Sequence, residues 1–138
     1  MSIEINHTQS VVLEAFISQL PDYCRSVFVN GDMPTPRFLW QVIETGNADD
    51  LFASEQAFVS GIIEYRKGHE GEVFSPRQIT TAINSLVRAG ILIKIPASNS
   101  ATYEEAMYRL SDGYIETLID DGYEDDALTV EIFDGSKY

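Results

Sequence analysis

Cysteine, basic residues and long apolar runs are all scarce in this chain of 138 residues. The single cysteine, Cys24, excludes an internal disulfide, and its place in a helical pattern beside Tyr23 predicts a buried, inert thiol. No stretch approaches the roughly 18 uninterrupted apolar residues that a membrane span needs. The opening run, MSIEINHTQS, lacks the basic region and apolar core of a signal peptide. We therefore expect a cytoplasmic protein that makes no membrane contact.

Motifs that carry catalysis are missing as well. The chain has no Gly-rich phosphate loop, no nucleophile elbow and no paired-cysteine motif. Its two histidines, His7 and His69, are far apart in the sequence and form no metal-ligand spacing. These absences predict a non-enzymatic protein that holds neither a metal nor a cofactor.

Acidic residues dominate the charge. The 22 Asp and Glu residues against 9 Lys and Arg residues give a net charge of −13. The net charge is −5 over 1–50, +1 over 51–100 and −9 over 101–138, so acidic flanks bracket a nearly neutral middle. Such a chain repels a distant polyanion and attracts a basic protein surface.

The first part of the chain has helical periodicity. Apolar spacing predicts a helix over 8–20, capped by Thr8 and stopped by Pro21. The run PDYCRSVF predicts a short second helix over 21–28. Two further helices are predicted after Thr35 and Ser54, which are suitable capping residues.

The clearest helix follows Ser75. Ser75 is a capping residue, Pro76 fits the first helical position, and Gly90 supplies a left-handed stop. Its apolar positions form one stripe, which consists of Ile79, Ile83, Leu86 and Val87. Its other face is rich in hydrogen-bond donors, namely Arg77, Gln78, Thr81, Asn84, Ser85 and Arg88.

A short β-hairpin and a last helix complete the pattern. The β-branched run ILIKI (91–95) and the run MYRL (107–110) predict two strands that pair around a polar tip. Ser111 then caps a closing helix. The fold class is therefore mainly α with a small β-hairpin, that is α+β. We divide the chain into N-terminal helices (1–50), a core (51–119) and an acidic C-terminal tail (120–138).

The residues of the middle segment resemble a known family. The run LVRAGILIKI, followed by YRLSDGYIETL, is similar to the third helix, wing and following helix of winged helix-turn-helix domains. The resemblance covers about residues 54–118 and implies a winged-helix core preceded by extra helices. The connection over 68–75 is longer than the three or four residues of a compact helix-turn-helix. Either this turn is expanded, or Val73 and Phe74 form a small strand against the wing.

The resemblance also implies a way to contact DNA. In DNA-binding members the polar face of the third helix enters the major groove and the wing contacts the adjacent backbone. Under this hypothesis the protein is a homodimeric transcriptional regulator that recognises a palindromic site. The candidate DNA-binding residues are Arg77, Gln78, Thr81, Asn84, Arg88 and Lys94.

The acidity favours a different class by a narrow margin. Winged-helix domains also serve as protein-binding modules, and carboxylates can occupy a basic site where phosphates would lie. This hypothesis predicts an inhibitor or regulator of nucleic-acid-handling machinery, of the phage or mobile-element type, that binds a basic protein surface by mimicking DNA. The candidate partner-binding residues are Glu104, Glu105, Asp120, Asp121, Glu124, Asp125 and Asp126. An acidic terminus that only keeps the protein soluble is the plain alternative.

Overall fold

A computed structural model describes residues 6–29, 31–67, 74–96 and 105–129, without the side chains of residues 66 and 67. Over these ranges the chain forms five α-helices and one three-stranded antiparallel sheet, which confirms the predicted α+β class. The elements in chain order are α1 His7–Tyr23, α2 Pro36–Glu44, β1 Ala53–Ser54, α3 Glu55–Lys67, α4 Pro76–Arg88, β2 Leu92–Ile95, β3 Met107–Leu110 and α5 Asp112–Asp120.

The start and the end of α1 differ from the prediction. The cap is Asn6 rather than Thr8, because the Asn6 side chain accepts a hydrogen bond from the Gln9 N–H at 2.8 Å and the Gln9 side chain accepts one in return from the Asn6 N–H. Pro21 does not stop the helix. It lies near the C-terminal end, where it removes the N–H that would bond to the Ile17 carbonyl, and α1 nevertheless continues to Tyr23.

The predicted second helix over 21–28 does not form. Residues 21–23 belong to α1, and the chain then turns, with the N–H groups of Val27 and Phe28 both bonded to the Cys24 carbonyl. Cys24 itself is buried, as predicted.

The other helix ends agree with the sequence signals. Thr35, Ser75 and Ser111 each accept a backbone hydrogen bond from the first turn of α2, α4 and α5. Gly46 and Gly90 follow α2 and α4 with φ of 85° and 81°, a left-handed conformation that favours glycine.

The sheet has the order β1-β3-β2. The predicted hairpin is confirmed, with Leu92 opposite Leu110 and Ile95 opposite Met107. The third strand is β1, in which Ala53 pairs with Tyr108, and it precedes α3. Phe74 is in no strand, so it does not supply the extra strand that we considered, and Val73 lies outside the described residues.

One cluster of buried side chains joins the elements. It extends from Val11 in α1 to Leu128 beyond α5 and so includes residues from all three predicted segments. Helix α1 packs on α3 and α4, while α2 packs on α5. Gly61 allows α3 to lie close to α1, because a Cβ there would be 2.3 Å from the Tyr23 hydroxyl oxygen. Among the described residues, no helix has the length and apolar character to cross a membrane.

Candidate functional site

One line of polar side chains runs along the outer face of α4. Arg77, Thr81, Asn84 and Arg88 are spaced by four, three and four residues, so they lie above one another on the helix. We call these four residues the α4 stripe. The buried side chains of Ile79, Ala82, Ile83 and Leu86 occupy the opposite side. At 1.5 Å per residue, the two arginines are about 16 Å apart along the helix axis.

The α4 stripe keeps its hydrogen-bonding capacity. Arg77, Thr81 and Arg88 are exposed and Asn84 is half-buried. The Thr81 hydroxyl bonds to no residue in the described part of the chain, and the Thr81 backbone carbonyl accepts the Ser85 hydroxyl at 2.9 Å. One guanidinium nitrogen of Arg88 donates to Ser85 Oγ at 3.2 Å, which leaves its other donors available. The stripe can therefore offer several donors to a ligand.

Gln78, which we predicted as a DNA-binding residue, also takes part in the cap of α4. Its side-chain oxygen accepts the Ser75 N–H at 2.8 Å, and its own N–H donates to Ser75 Oγ at 3.2 Å. This reciprocal capping box fixes the start of α4. The Gln78 amide oxygen therefore has one of its two lone pairs engaged in the cap, while its NH₂ group donates to no described residue.

A shallow groove of about 310 Å³ lies beside the stripe, between the start of α1 and the first half of α4. The side chains that line it are mostly polar, and they come from Asn6, Thr8, Ser75, Arg77, Gln78, Thr81, Ala82 and Ser85. The first turn of α1 therefore borders the α4 stripe on one side.

The hairpin adds one cation. Lys94 in β2 is exposed, and its Nζ lies 5.9 Å from the centre of the Tyr108 ring on the neighbouring strand. Burial and the nearby Glu55 carboxylate raise the pKa of Tyr108 to about 12, so this ring stays neutral. From Ser75 to Ile95 the sequence has three basic residues and no acidic one.

The predicted acidic wing tip is only partly described. The Glu105 carboxylate accepts the Gln56 N–H at 2.8 Å and therefore caps the start of α3. Glu105 consequently has a structural contact, although we predicted it as a partner-binding residue. Glu104 lies outside the described residues.

Part of the predicted acidic tail is bound to the start of α2. Arg37 donates to the Asp125 carboxylate at 2.7 Å and also contacts the Glu124 carboxylate at 3.1 Å. Two backbone bonds join the same segments, from Arg37 N–H to the Glu124 carbonyl and from Leu128 N–H to the Pro34 carbonyl. Leu128 is buried. Glu124 and Asp125 thus already have a cationic partner inside the chain.

Four acidic side chains in this region have no ion-pair partner among the described residues. Glu116 and Asp120 are one turn apart on α5, and Asp121 and Asp126 follow the helix. We call these four residues the acidic face. Glu116 was not among our predicted residues, although its spacing of four from Asp120 on a predicted helix was a signal for it. The remaining acid of α5, Asp112, is bonded to Arg109.

Arg109 is a buried cation that the sequence reasoning did not identify. Its guanidinium is 5.2 Å from the Phe52 ring centre and donates to the Leu110 carbonyl and to Asp112. These contacts join β3 to the start of α5 and leave only the Nε atom buried without a hydrogen bond. Arg109 therefore supports the fold and is not available to a ligand.

Cys24 also has a structural role rather than a chemical one. Burial, with a smaller effect from Asp50, raises the pKa of the Cys24 thiol to about 12. The thiolate, which is the nucleophilic form, is consequently rare at neutral pH.

Comparisons with protein-family models, with curated proteins and with solved structures find no match for this chain. The resemblance to winged helix-turn-helix domains accordingly stays a prediction.

Proposed function

We propose that the protein is a non-enzymatic DNA-binding regulator that contacts duplex DNA through the α4 stripe. The observation that carries this proposal is the stripe itself: a line of exposed and half-buried donors, with an exposed arginine at each end, in a segment that has no acidic residue. Arginine pairs with guanine and asparagine with adenine through two hydrogen bonds each in the major groove. Arg77, Asn84 and Arg88 would then contact bases. Thr81 would donate a hydrogen bond to a base edge or pack its methyl group against a thymine methyl group.

The arrangement around α4 supports this role. Helix α3 packs on α4, and the β2–β3 hairpin follows α4 directly. This is the order of helix, helix and wing that the resemblance to winged helix-turn-helix domains implies. Lys94 is on the first strand of the hairpin, where it would contact a phosphate beside the groove.

The net charge of −13 opposes DNA binding less than the magnitude of that charge suggests. The Debye length is about 8 Å at physiological ionic strength, so acids farther than this from the interface are largely screened. Glu124 and Asp125 also share Arg37, which locally offsets one of their two charges. The charge close to the contact then matters most, and over Ser75–Ile95 it is +3.

The size of the stripe suggests a dimer. A stripe about 16 Å long covers about five base pairs at 3.4 Å per step. Two copies on a palindromic site would double both the contacted bases and the neutralised phosphates. We therefore propose a homodimer on DNA.

A matched pair of charge reversals tests the proposal. Arg77→Glu and Arg25→Glu make the same change of charge at exposed arginines, but only Arg77 belongs to the stripe. Affinity for a labelled random-sequence duplex, measured by fluorescence anisotropy, should fall at least tenfold in Arg77→Glu. It should change little in Arg25→Glu. Equal losses in both variants would mean that the stripe is not the DNA contact.

The acidic face favours a second candidate function. Its four exposed carboxylates have no partner among the described residues, so they can bind a basic protein surface in the place of DNA phosphates. The protein would then be an inhibitor or regulator of a nucleic-acid-binding protein. This is the DNA-mimicking function that the sequence favoured by a narrow margin.

A competition assay tests this second candidate. The protein should displace a labelled duplex from a basic, sequence-neutral nucleic-acid-binding protein, and Asp120→Lys/Asp121→Lys should abolish the displacement. Glu14→Lys/Asp22→Lys, at two exposed acids of α1, is the control with the same change of charge. If both double variants displace the duplex as well as the wild type does, the acidic face has no such function.

A further inference from the structure

We infer that the surface of α4 and β2 is a docking site for the acidic face of a second copy of this chain. The inference concerns self-association and does not depend on the proposed DNA binding. It rests on the complementary charges of two surfaces that belong to different elements of the same fold.

The two surfaces have opposite charge. The segment Ser75–Ile95 contains Arg77, Arg88 and Lys94, all exposed, and no acid. The segment 112–126 contains seven acids and no base, for a net charge of −7. Three of the seven have partners within the chain, which leaves the acidic face of Glu116, Asp120, Asp121 and Asp126.

Neither surface finds its counter-charge within the described part of one chain. Arg37 and Arg109 are the cations beside the acidic segment, and they are already paired with Glu124, Asp125 and Asp112. The guanidinium groups of Arg77 and Arg88 make no ion pair with a described carboxylate. A second copy supplies what each surface lacks.

The geometry makes this contact heterologous. The docking surface belongs to α4 and β2, which pack together, whereas the acidic face belongs to α5, which packs on α2. A copy bound through its acidic face therefore leaves its own α4 free for the next copy. Head-to-tail contacts of this kind form rings if the rotation closes and open chains if it does not.

Two opposing electrostatic effects determine when the copies associate. Each copy carries a net charge of −13, so long-range repulsion dominates at low ionic strength, where the Debye length is about 30 Å. At about 0.15 M salt the repulsion is screened while opposite charges in direct contact still attract. At about 1 M salt the contact is screened as well, so association is strongest at the intermediate ionic strength.

Sedimentation with charge-swapped variants tests the inference. The basic-surface variant is Arg77→Glu/Arg88→Glu, and the acidic-face variant is Asp120→Lys/Asp121→Lys. The lysines are compatible with the C-terminal end of α5, where the helix dipole favours positive charge. At about 0.15 M salt the wild type should associate as concentration rises, and each variant alone should sediment as a monomer.

An equimolar mixture of the two variants gives the decisive result. The reversed α4 of one variant now complements the reversed acidic face of the other, so the mixture should associate at least tenfold more strongly than either variant alone. Restoration in the mixture also shows that both variants are folded. A wild type that stays monomeric at all three ionic strengths, or a mixture that stays monomeric, would overturn the inference. Because no DNA is present, a failure of the proposed DNA binding cannot change this outcome.

Discussion

Helices α4 and α5 are built alike and carry opposite charge. Each begins after a capping serine, Ser75 or Ser111, and each buries one apolar face. Over its own length α4 has two basic residues and no acid, whereas α5 has three acids and no base. The difference shows that the net charge of −13 describes neither surface. What a charge can do depends on whether the fold has already given it a partner.

The two helices also differ in how much of their charge is already paired. On α5, Asp112 is bonded to buried Arg109, and just beyond the helix Glu124 and Asp125 are bonded to Arg37. On α4, Arg88 donates to the hydroxyl group of Ser85, and neither arginine forms an ion pair with a described carboxylate. The basic surface carries less charge, but a larger fraction of its charge is free of ion pairs.

The largest expected effect is the loss of DNA binding when the arginines of α4 are truncated. Arg77→Ala and Arg88→Ala should each weaken binding to a selected site by about 1–3 kcal/mol, or about 5- to 150-fold. Because the charge of a base-contacting arginine also neutralises a nearby phosphate, each arginine removed should lower the dependence of affinity on salt by about one unit of slope. Anisotropy titrations at several salt concentrations measure both quantities. An unchanged salt slope in the double variant would place the phosphate contacts elsewhere.

A paired acid and a free acid on α5 should differ in their effect on stability. Asp112→Ala leaves the buried guanidinium of Arg109 without its carboxylate and should cost about 2 kcal/mol of unfolding free energy. Glu116→Ala, one turn later and exposed, should change it by less than about 0.5 kcal/mol. Urea unfolding followed by circular dichroism measures the two values. Similar values would mean that the Arg109–Asp112 contact contributes little.

Substitutions of Gln78 and Asn84 on α4 should also differ, one in its effect on stability and the other in its effect on base preference. Gln78→Ala removes half of the capping box and should lower the unfolding free energy by about 0.5–1 kcal/mol, with little change in base preference. Asn84→Ala should relax the base preference. Site selection from a random duplex library, combined with thermal unfolding, separates the two effects. A relaxed preference in Gln78→Ala alone would assign base recognition to Gln78 after all.

The smallest effect is expected at the contact between Arg37 and the segment beyond α5. Arg37→Ala removes ion pairs that are half exposed, and such pairs contribute little to global stability. The change should be local, with faster amide exchange at Leu128, whose N–H is bonded to the Pro34 carbonyl. Hydrogen exchange followed by NMR measures it, with Arg25→Ala as the control. Unchanged exchange at Leu128 would show that the backbone bonds hold the segment without Arg37.

Local signals in the sequence predicted much of the fold. The caps at Thr35, Ser75 and Ser111 and the glycines after α2 and α4 act through bonds within one turn, so their effect can be predicted from neighbouring residues. Strand β1 could not be predicted, because two residues are too few to show an alternating pattern. The passage of α1 through Pro21 could not be predicted either, because proline removes a helical N–H donor and normally ends or kinks a helix.

The sequence predicted which residues belong to the candidate site, but not which of their side chains are already bonded within the chain. The periodicity of α4 already placed Arg77, Thr81, Asn84 and Arg88 on one face. The bonds that occupy Glu105, Glu124 and Asp125 join residues that are 49 and about 88 positions apart in the chain, so no local pattern indicates them. The same holds for Arg109, whose burial follows from the contact between β3 and Phe52.

The most direct test of DNA binding by α4 is the salt dependence of wild-type affinity for duplex DNA. With the charges of Arg77, Arg88 and Lys94 each neutralising about one phosphate, the slope of log K against log salt should be about −2.7 per chain and about −5.4 for a dimer. That result would show that the basic surface outweighs the net charge of the chain. No measurable binding at any salt concentration, or affinity that does not change with salt, would contradict the account.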